Sequence, residues 1–366
     1  MGRILTLRDV EAAVKGGSVF ACGGGGWVNH GLELGRLAVT IGRPELVTME
    51  EVADSAWIAT AAAIGAPGGL TDWEMLGVDY VKAVQLVQKE LDEPIYGLIV
   101  GQNGMSSTLN GWLPSAILGT KVVDAVGDLR AHPTGDMGSL GLASSVEPMI
   151  QTAVGGNRKN NAYIELVVKG ATAKVSPILR KASDMSGGFI ASCRNPIRGA
   201  YVRQHAALGG ISLALSLGEA IIAASKKGGN AVIDAICNHT DGQIIGSGKV
   251  AQNTLRYTDE AFDVGIVDVG QGENLRHIHV MNEHMAVEDN HGRRIATYPD
   301  VITTLDMLGN PVSAGQLKPG MEIVIFHQHH SQIPLSSSVI DPAVYPPVEK
   351  TLGVELFSHF EQGVTQ

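Results

Sequence analysis

Short apolar runs alternate with amphipathic stretches through the first half of the chain, and the two periods predict strands and helices in turn. Thr6-Leu7-Arg8-Asp9 has the form of a capping box, so a helix is expected to open there and to stop at Gly16-Gly17. Val19–Cys22 predicts a strand, and Gly23–Gly26 follows it. Apolar residues then return at helical spacing to about Ile41. Leu46–Met49 predicts the next strand, and Trp57–Ile64 is an apolar run that ends in the loop Gly65–Gly69. A helix from about Trp73 to Leu91 leads to a strand at Tyr96–Val100, a loop at Gly101–Gly104 and a helix at Leu113–Leu118. Another strand ends at Val122-Val123-Asp124, and Ala162–Val168 predicts one more. This alternation predicts an α/β domain with a largely parallel sheet. Ligands of such sheets bind beyond the carboxyl ends of the strands. The loops at 22–30, 65–72, 101–108 and 124–137 are therefore expected to gather on one edge.

The second half reads differently. Residues 208–227 predict a buried helix, with Lys226-Lys227 in its last turn and Gly228-Gly229 as its stop. From about 231 the pattern shortens to alternating runs at Gly246–Val250, Asp263–Val269, His277–Met281, Met285–Glu288, Arg294–Thr297, Val301–Leu305 and Met321–Phe326. That predicts a β-rich C-terminal domain, a compact sandwich or barrel-like layer. The expected division is 1–170 for the α/β glycine-loop domain and 171–366 for the C-terminal domain.

Composition narrows the function. With 366 residues and 44% hydrophobic content the chain can build two sizeable cores. A formal net charge of −10 argues against nucleic acid, which needs a basic footprint. No segment approaches the roughly 20 apolar residues that span a bilayer, so no membrane role is expected. Cys22, Cys193 and Cys237 are too few and too far apart for a disulfide framework. Without an export-signal pattern, a cytoplasmic setting is the expectation. Low charge and strand edges that need cover point to a homo-oligomer.

The candidate chemistry sits mostly in loops. Gly23, Gly24, Gly25 and Gly26 let bare backbone approach a ligand, or form a tight packing turn. No Lys-Ser/Thr follows and the spacing is not GxGxxG, so no nucleotide cofactor is expected. Asp124, Asp128 and His132, with Asp136 beyond them, form the candidate catalytic set: carboxylates and an imidazole that activate water, with or without a divalent metal. Asn103 and Ser106 offer hydrogen bonds to a small-molecule substrate. His277 and His279 point to one face of a strand and, with Glu283, are the candidate metal ligands, zinc being the expected ion. His327, His329 and His330 raise the same question. Cys22 and Cys193 are either nucleophiles or buried structural thiols.

A family resemblance emerges from the order of these segments. The glycine run, an Ala-Pro loop, Gly101-Gln102-Asn103 after a strand and Val122-Val123-Asp124-Ala125 occur in sequence. Gly248-Lys249-Val250, Asn282-Glu283, Thr297-Tyr298-Pro299-Asp300-Val301-Ile302, Leu305-Asp306 and Gly309-Asn310-Pro311-Val312 follow, and a Leu-x-x-Gly-x-x-Ile-x-Ile segment closes the set at Ile325. This order resembles the S-methyl-thiohydantoin desulfurase-like family over nearly the whole chain. The resemblance implies an α/β domain followed by a β-rich one, and chemistry on a five-membered cyclic imide or thioimidate. It also implies a role for Glu283 ahead of the neighbouring histidines. Many members carry Asp-Pro after the glycines where this chain has Trp27-Val28, which marks a divergent member of the family and leaves its substrate open. The expected activity is a hydrolase of a thiohydantoin, hydantoin or related imide. An accessory subunit with a hydantoinase-type partner, and a transferase or lyase for an acidic substrate, stay open.

Overall fold

The computed structural model describes residues 2–69 and 72–364. Residues 70 and 71 of the second glycine-rich loop lie outside the described residues.

The first helix, Leu7–Phe20, opens as expected: the Asp9 carboxylate accepts the Thr6 N–H at 2.8 Å and the Thr6 hydroxyl at 2.7 Å. It does not stop at Gly16-Gly17, and Val19 and Phe20 are its last turn rather than a strand. The reason is a close helix pair. A Cβ on Gly16 would lie 1.8 Å from the Ala214 carbonyl oxygen, and one on Gly218 would lie 1.8 Å from that of Ala12. The glycines let Leu7–Phe20 and Gly210–Ser225 touch backbone to backbone, which outweighs their poor helix propensity.

The first sheet has nine strands and is mixed. Four run parallel, in the order Glu45–Val47, Lys121–Asp128, Ile95–Gln102, Trp57–Gly65. Beyond Trp57–Gly65 the pairing turns antiparallel through Phe189–Arg198, Met149–Gly155 and Ile164–Gly170. The largely parallel sheet expected from the alternation therefore holds for the N-terminal strands only. The antiparallel wing comes from residues 149–198, where the apolar runs are broken by polar and charged side chains. The helices Val28–Ile41, Gly77–Gln88, Trp112–Leu118 and Thr172–Met185 pack around this sheet.

The second sheet is antiparallel throughout, eight strands including Gln243–Asn253, Asp263–Val269, Arg276–Met281, Glu283–Asp289, Arg294–Thr297, Val301–Asp306 and Glu322–Gln328. These are the strands expected of a β-rich domain. A helix at Gly229–Thr240 precedes them, although the pattern predicts short alternating runs from about residue 231. One apolar cluster, with Phe20, Leu129, Leu217, Ile221, Val301, Leu305 and Phe326, joins the first helix to the second sheet. The two sheets thus share a core, and a cavity opens at their junction.

Candidate active site

All four of the expected loops meet. A cavity of about 940 Å³ is lined by Ile64 and Gly65 from one parallel strand, Gln102 from the next, and His132–Asp136 after the third. These are the carboxyl ends at which α/β sheets bind ligands. Gly23–Gly26 line it too, although they leave a helix rather than a strand. The opposite wall is C-terminal: Tyr257, Phe262, Asp263, Asn282 and Glu283 from the second sheet, and Ala343, Pro347 and Thr351 from the tail beyond it.

The glycine loop is a seam. Its carbonyls bind both domains: Cys22 accepts the His284 N–H at 2.7 Å, Gly23 that of Ala314 at 2.9 Å, and Gly25 that of Ser106 at 3.0 Å. Gly23, Gly25 and Gly26 have φ of 86°, 73° and 87°, a region side chains disfavour. A Cβ on Gly24 would sit 2.1 Å from Glu283 Oε1. The bare loop therefore lets a carboxyl lie directly against backbone.

Glu283 is the most perturbed acid on the cavity wall. It is 4% exposed and its Oε2 has no hydrogen-bond partner. Burial pushes its pKa up to about 8, against the pull of Arg130, Arg180 and the Gly25 N–H. Arg130 is fully buried beneath it and donates to the carbonyls of Ala131 at 2.9 Å, Asp300 at 2.7 Å and His284 at 2.8 Å. Arg180 lines the cavity and donates to the Pro133 carbonyl at 2.6 Å, and burial lowers its pKa to about 10. His284 lies behind the loop with its Nδ1 3.1 Å from the Ile302 carbonyl oxygen, and burial lowers its pKa to about 4.

The residues singled out in the sequence are placed unequally. His132 lines the cavity, with Asp128 Oδ2 3.5 Å from its Nδ1. Asp128 is buried behind it, where the Tyr298 hydroxyl donates to its Oδ2 at 2.8 Å. Asp124 lies within Lys121–Asp128, because that strand runs four residues further than its apolar run, and its carboxylate caps a helix. It accepts the N–H groups of Ile211 and Ser212 at 3.0 Å and the Ser212 hydroxyl at 2.5 Å. Asn103 is fully buried and spends its amide on the Leu129 and Gly210 carbonyls and on Thr108. Ser106 packs against Gly26 and its neighbour Ser107 reaches the cavity. Cys193 is buried, which pushes its thiol up to about 12, and burial also raises that of Cys22. Neither has the lowered pKa of an activated nucleophile.

The expected metal ligands are separated. His277 pairs with Asp268 at 2.7 Å and His279 with Glu288 at 3.0 Å, while Glu283 faces the cavity. Among the described residues, Asp300, His329 and His330 bring ligand-type atoms within 4.8 Å of one another, away from the cavity lining. Asp300 is already filled with donors: its Oδ1 takes the backbone N–H of His330 at 2.9 Å and the His330 ring at 2.8 Å, and its Oδ2 takes the His327 ring at 2.9 Å. An ion would have to displace those bonds.

Arg180 and Arg194 also line the cavity, and neither is among the candidates that the sequence offers. The available signal was an arginine inside the apolar strand Phe189–Arg198, a place where a charge needs a reason.

A mixed α/β sheet joined to an antiparallel one, with titratable groups of both on one cavity wall, defines a two-domain protein with an interdomain site. The chain belongs to the S-Me-THD-like family: its N-terminal domain matches residues 8–165 and its C-terminal domain residues 171–334. None of the curated proteins compared with it matches. A crystal structure of a structural-genomics protein from Chromobacterium violaceum is similar in fold, with 20% identity, a TM-score of 0.71 and 95% of each chain covered.

Proposed function

We propose that this protein is a hydrolase that removes the alkylthio group from a small cyclic thioimidate of the S-methyl-thiohydantoin type. The observation that carries this reading is Glu283, a buried carboxyl that keeps its proton to about pH 8 on the wall of a cavity also lined by His132. A protonated acid and an imidazole are the pair that such a hydrolysis requires. His132, backed by Asp128, takes a proton from water. The water oxygen bonds to the ring carbon bearing sulfur, and the carbon–sulfur bond breaks. Glu283 gives its proton to the departing thiolate, and the proton on His132 returns to Glu283. The sum is water plus S-methyl-thiohydantoin giving hydantoin plus methanethiol. The fall of a buried acid's charge cost on protonation explains why Glu283 suits the donor's role.

No step is routed through a metal, because the cavity wall holds no gathered donor set among the described residues. Dialysis against a chelator is expected to leave turnover unchanged. Activity lost on dialysis and restored by zinc would overturn this part.

The deciding experiment measures methanethiol with a thiol reagent and hydantoin by mass spectrometry, using the purified chain alone. Glu283→Gln and His132→Gln are each expected to lower kcat by roughly 100-fold or more. Unchanged turnover in both, with release by the wild type, would overturn the assignment. Release that needs an added hydantoinase-type protein would favour the accessory-subunit reading.

A further inference from the structure

Asp300 stands just before the strand Val301–Asp306, and His329 and His330 stand just after Glu322–Gln328. Val301 pairs with Gln328 in the antiparallel ladder, so one carboxylate and the imidazoles of His327, His329 and His330 meet at one end of the second sheet. There is more ring nitrogen here than one carboxylate uses. Asp300 Oδ2 holds the His327 ring at 2.9 Å, and Oδ1 holds the His330 ring at 2.8 Å and the His330 N–H at 2.9 Å. His329 makes no bond to Asp300. Its Nδ1 lies 2.8 Å from Ser331 Oγ, and its Nε2 has no hydrogen-bond partner among the described residues. Yet His329 offers an atom within 4.8 Å of those of Asp300 and His330. Its ring lies 3.9 Å from the His330 ring, centre to centre. Asp300 and His330 are buried and His329 is half-buried, so the cluster opens to solvent on the His329 side.

Two imidazoles and a carboxylate, with water for the fourth place, are a zinc ligand set. Calcium and magnesium take oxygen ligands instead. Tetrahedral bonds of about 2.0–2.2 Å put ligand atoms roughly 3.4 Å apart. The contact between Asp300 and His330 has to open by roughly half an ångström, and what leaves is the proton that the pair shares. His327 keeps its bond to Oδ2 and so aims Oδ1, the outer hydrogen bond that metal-ligating groups usually have.

We infer that Asp300, His329 and His330 bind one divalent ion of the zinc class, which fastens the root of the C-terminal tail. The chain leaves the second sheet at this point and goes on to supply Ala343, Pro347 and Thr351 to the cavity wall. Phe360 of the helix Phe357–Val364 then returns to pack on the His330 ring, 5.0 Å between centres. None of the three ligands lines the cavity, so the ion adds stability and no chemistry, and the inference does not depend on the proposed hydrolysis.

The test uses the untagged full chain, stripped with a chelator and desalted. Calorimetry with zinc chloride is expected to show one ion per chain. Zinc at about 100 times its dissociation constant should raise the melting temperature by roughly 3 °C or more. His329→Ala removes a ligand and leaves the Asp300 bonds in place. It should weaken zinc binding by at least roughly 100-fold, more than the loss of an outer partner costs, and cancel the thermal shift. His277→Ala, elsewhere in the same sheet, should bind as the wild type does. Cobalt(II) in place of zinc should give the strong visible bands of a four-coordinate ion, and His330→Gln should lose them. No zinc uptake by the wild type at micromolar zinc, or undiminished binding by His329→Ala, would overturn the inference. So would an equal thermal shift from calcium, or a loss of binding in His277→Ala instead. Circular dichroism checks each fold, and His329→Ala carries the comparison if His330→Gln is unfolded.

Discussion

Glu283 and His284 are neighbours whose ionisations are pushed in opposite directions by the same cause. Burial favours the neutral form of each, so the acid is raised to about 8 and the imidazole lowered to about 4. The signs follow from linkage. Glu283 binds its proton more tightly folded than unfolded, so its stabilising effect is complete below the unfolded value of 4.5 and is lost as pH rises through about 8. His284 binds its proton less tightly folded, so its effect is complete above 6.5 and is lost as pH falls through about 4. Denaturant titrations from pH 4 to 9 should show Glu283→Gln gaining on the wild type between about 4.5 and 8 and holding constant above. A difference that does not change over that window would place the Glu283 pKa elsewhere. The wild-type rate should fall above about pH 8, as the donor loses its proton. At Asp124, the filled carboxylate makes Asp124→Ala a stability change of ~0.5–2 kcal/mol, the usual cost of a lost helix cap. Chemical denaturation measures it.

Glycine has different meanings in different elements, and this is where the sequence was least legible. The strands of the second sheet were readable because alternation and turn residues mark each one, and Arg294–Thr297 matches to the residue. Gly16-Gly17 looked like a helix stop, since a local pattern does not reveal a second helix at backbone contact. The antiparallel wing was legible only in part. Phe189–Arg198 carries Ser192, Arg194 and Asn195, whose burial depends on what packs above them. Likewise the site was half visible. His132 and Glu283 stood in recognisable segments, whereas Arg194 and Arg180 come from a strand and a helix that topology alone brings to the cavity. Gly16→Val tests the helix reading. Its side chain meets the Ala214 carbonyl, so a loss of at least ~1–3 kcal/mol in unfolding free energy is expected from overpacking. A variant as stable as the wild type would mean the helices are not in contact there.

At the scale of the molecule, the strand Ile164–Gly170 ends the first sheet with one edge unpaired among the described residues and with alternating exposure. Such edges are usually covered, and a two-fold dimer is the expected form. Light scattering over a dilution series checks it: a mass near 38.4 kDa throughout would reject the oligomer. The cavity itself draws on segments from Gly23 to Thr351, and its wall is completed by Ala343, Pro347 and Thr351. Polypeptides are synthesised from the amino end. A ribosome that has delivered both sheets has still not delivered that wall, so the cleft beside Glu283 closes only after the second sheet has been synthesised.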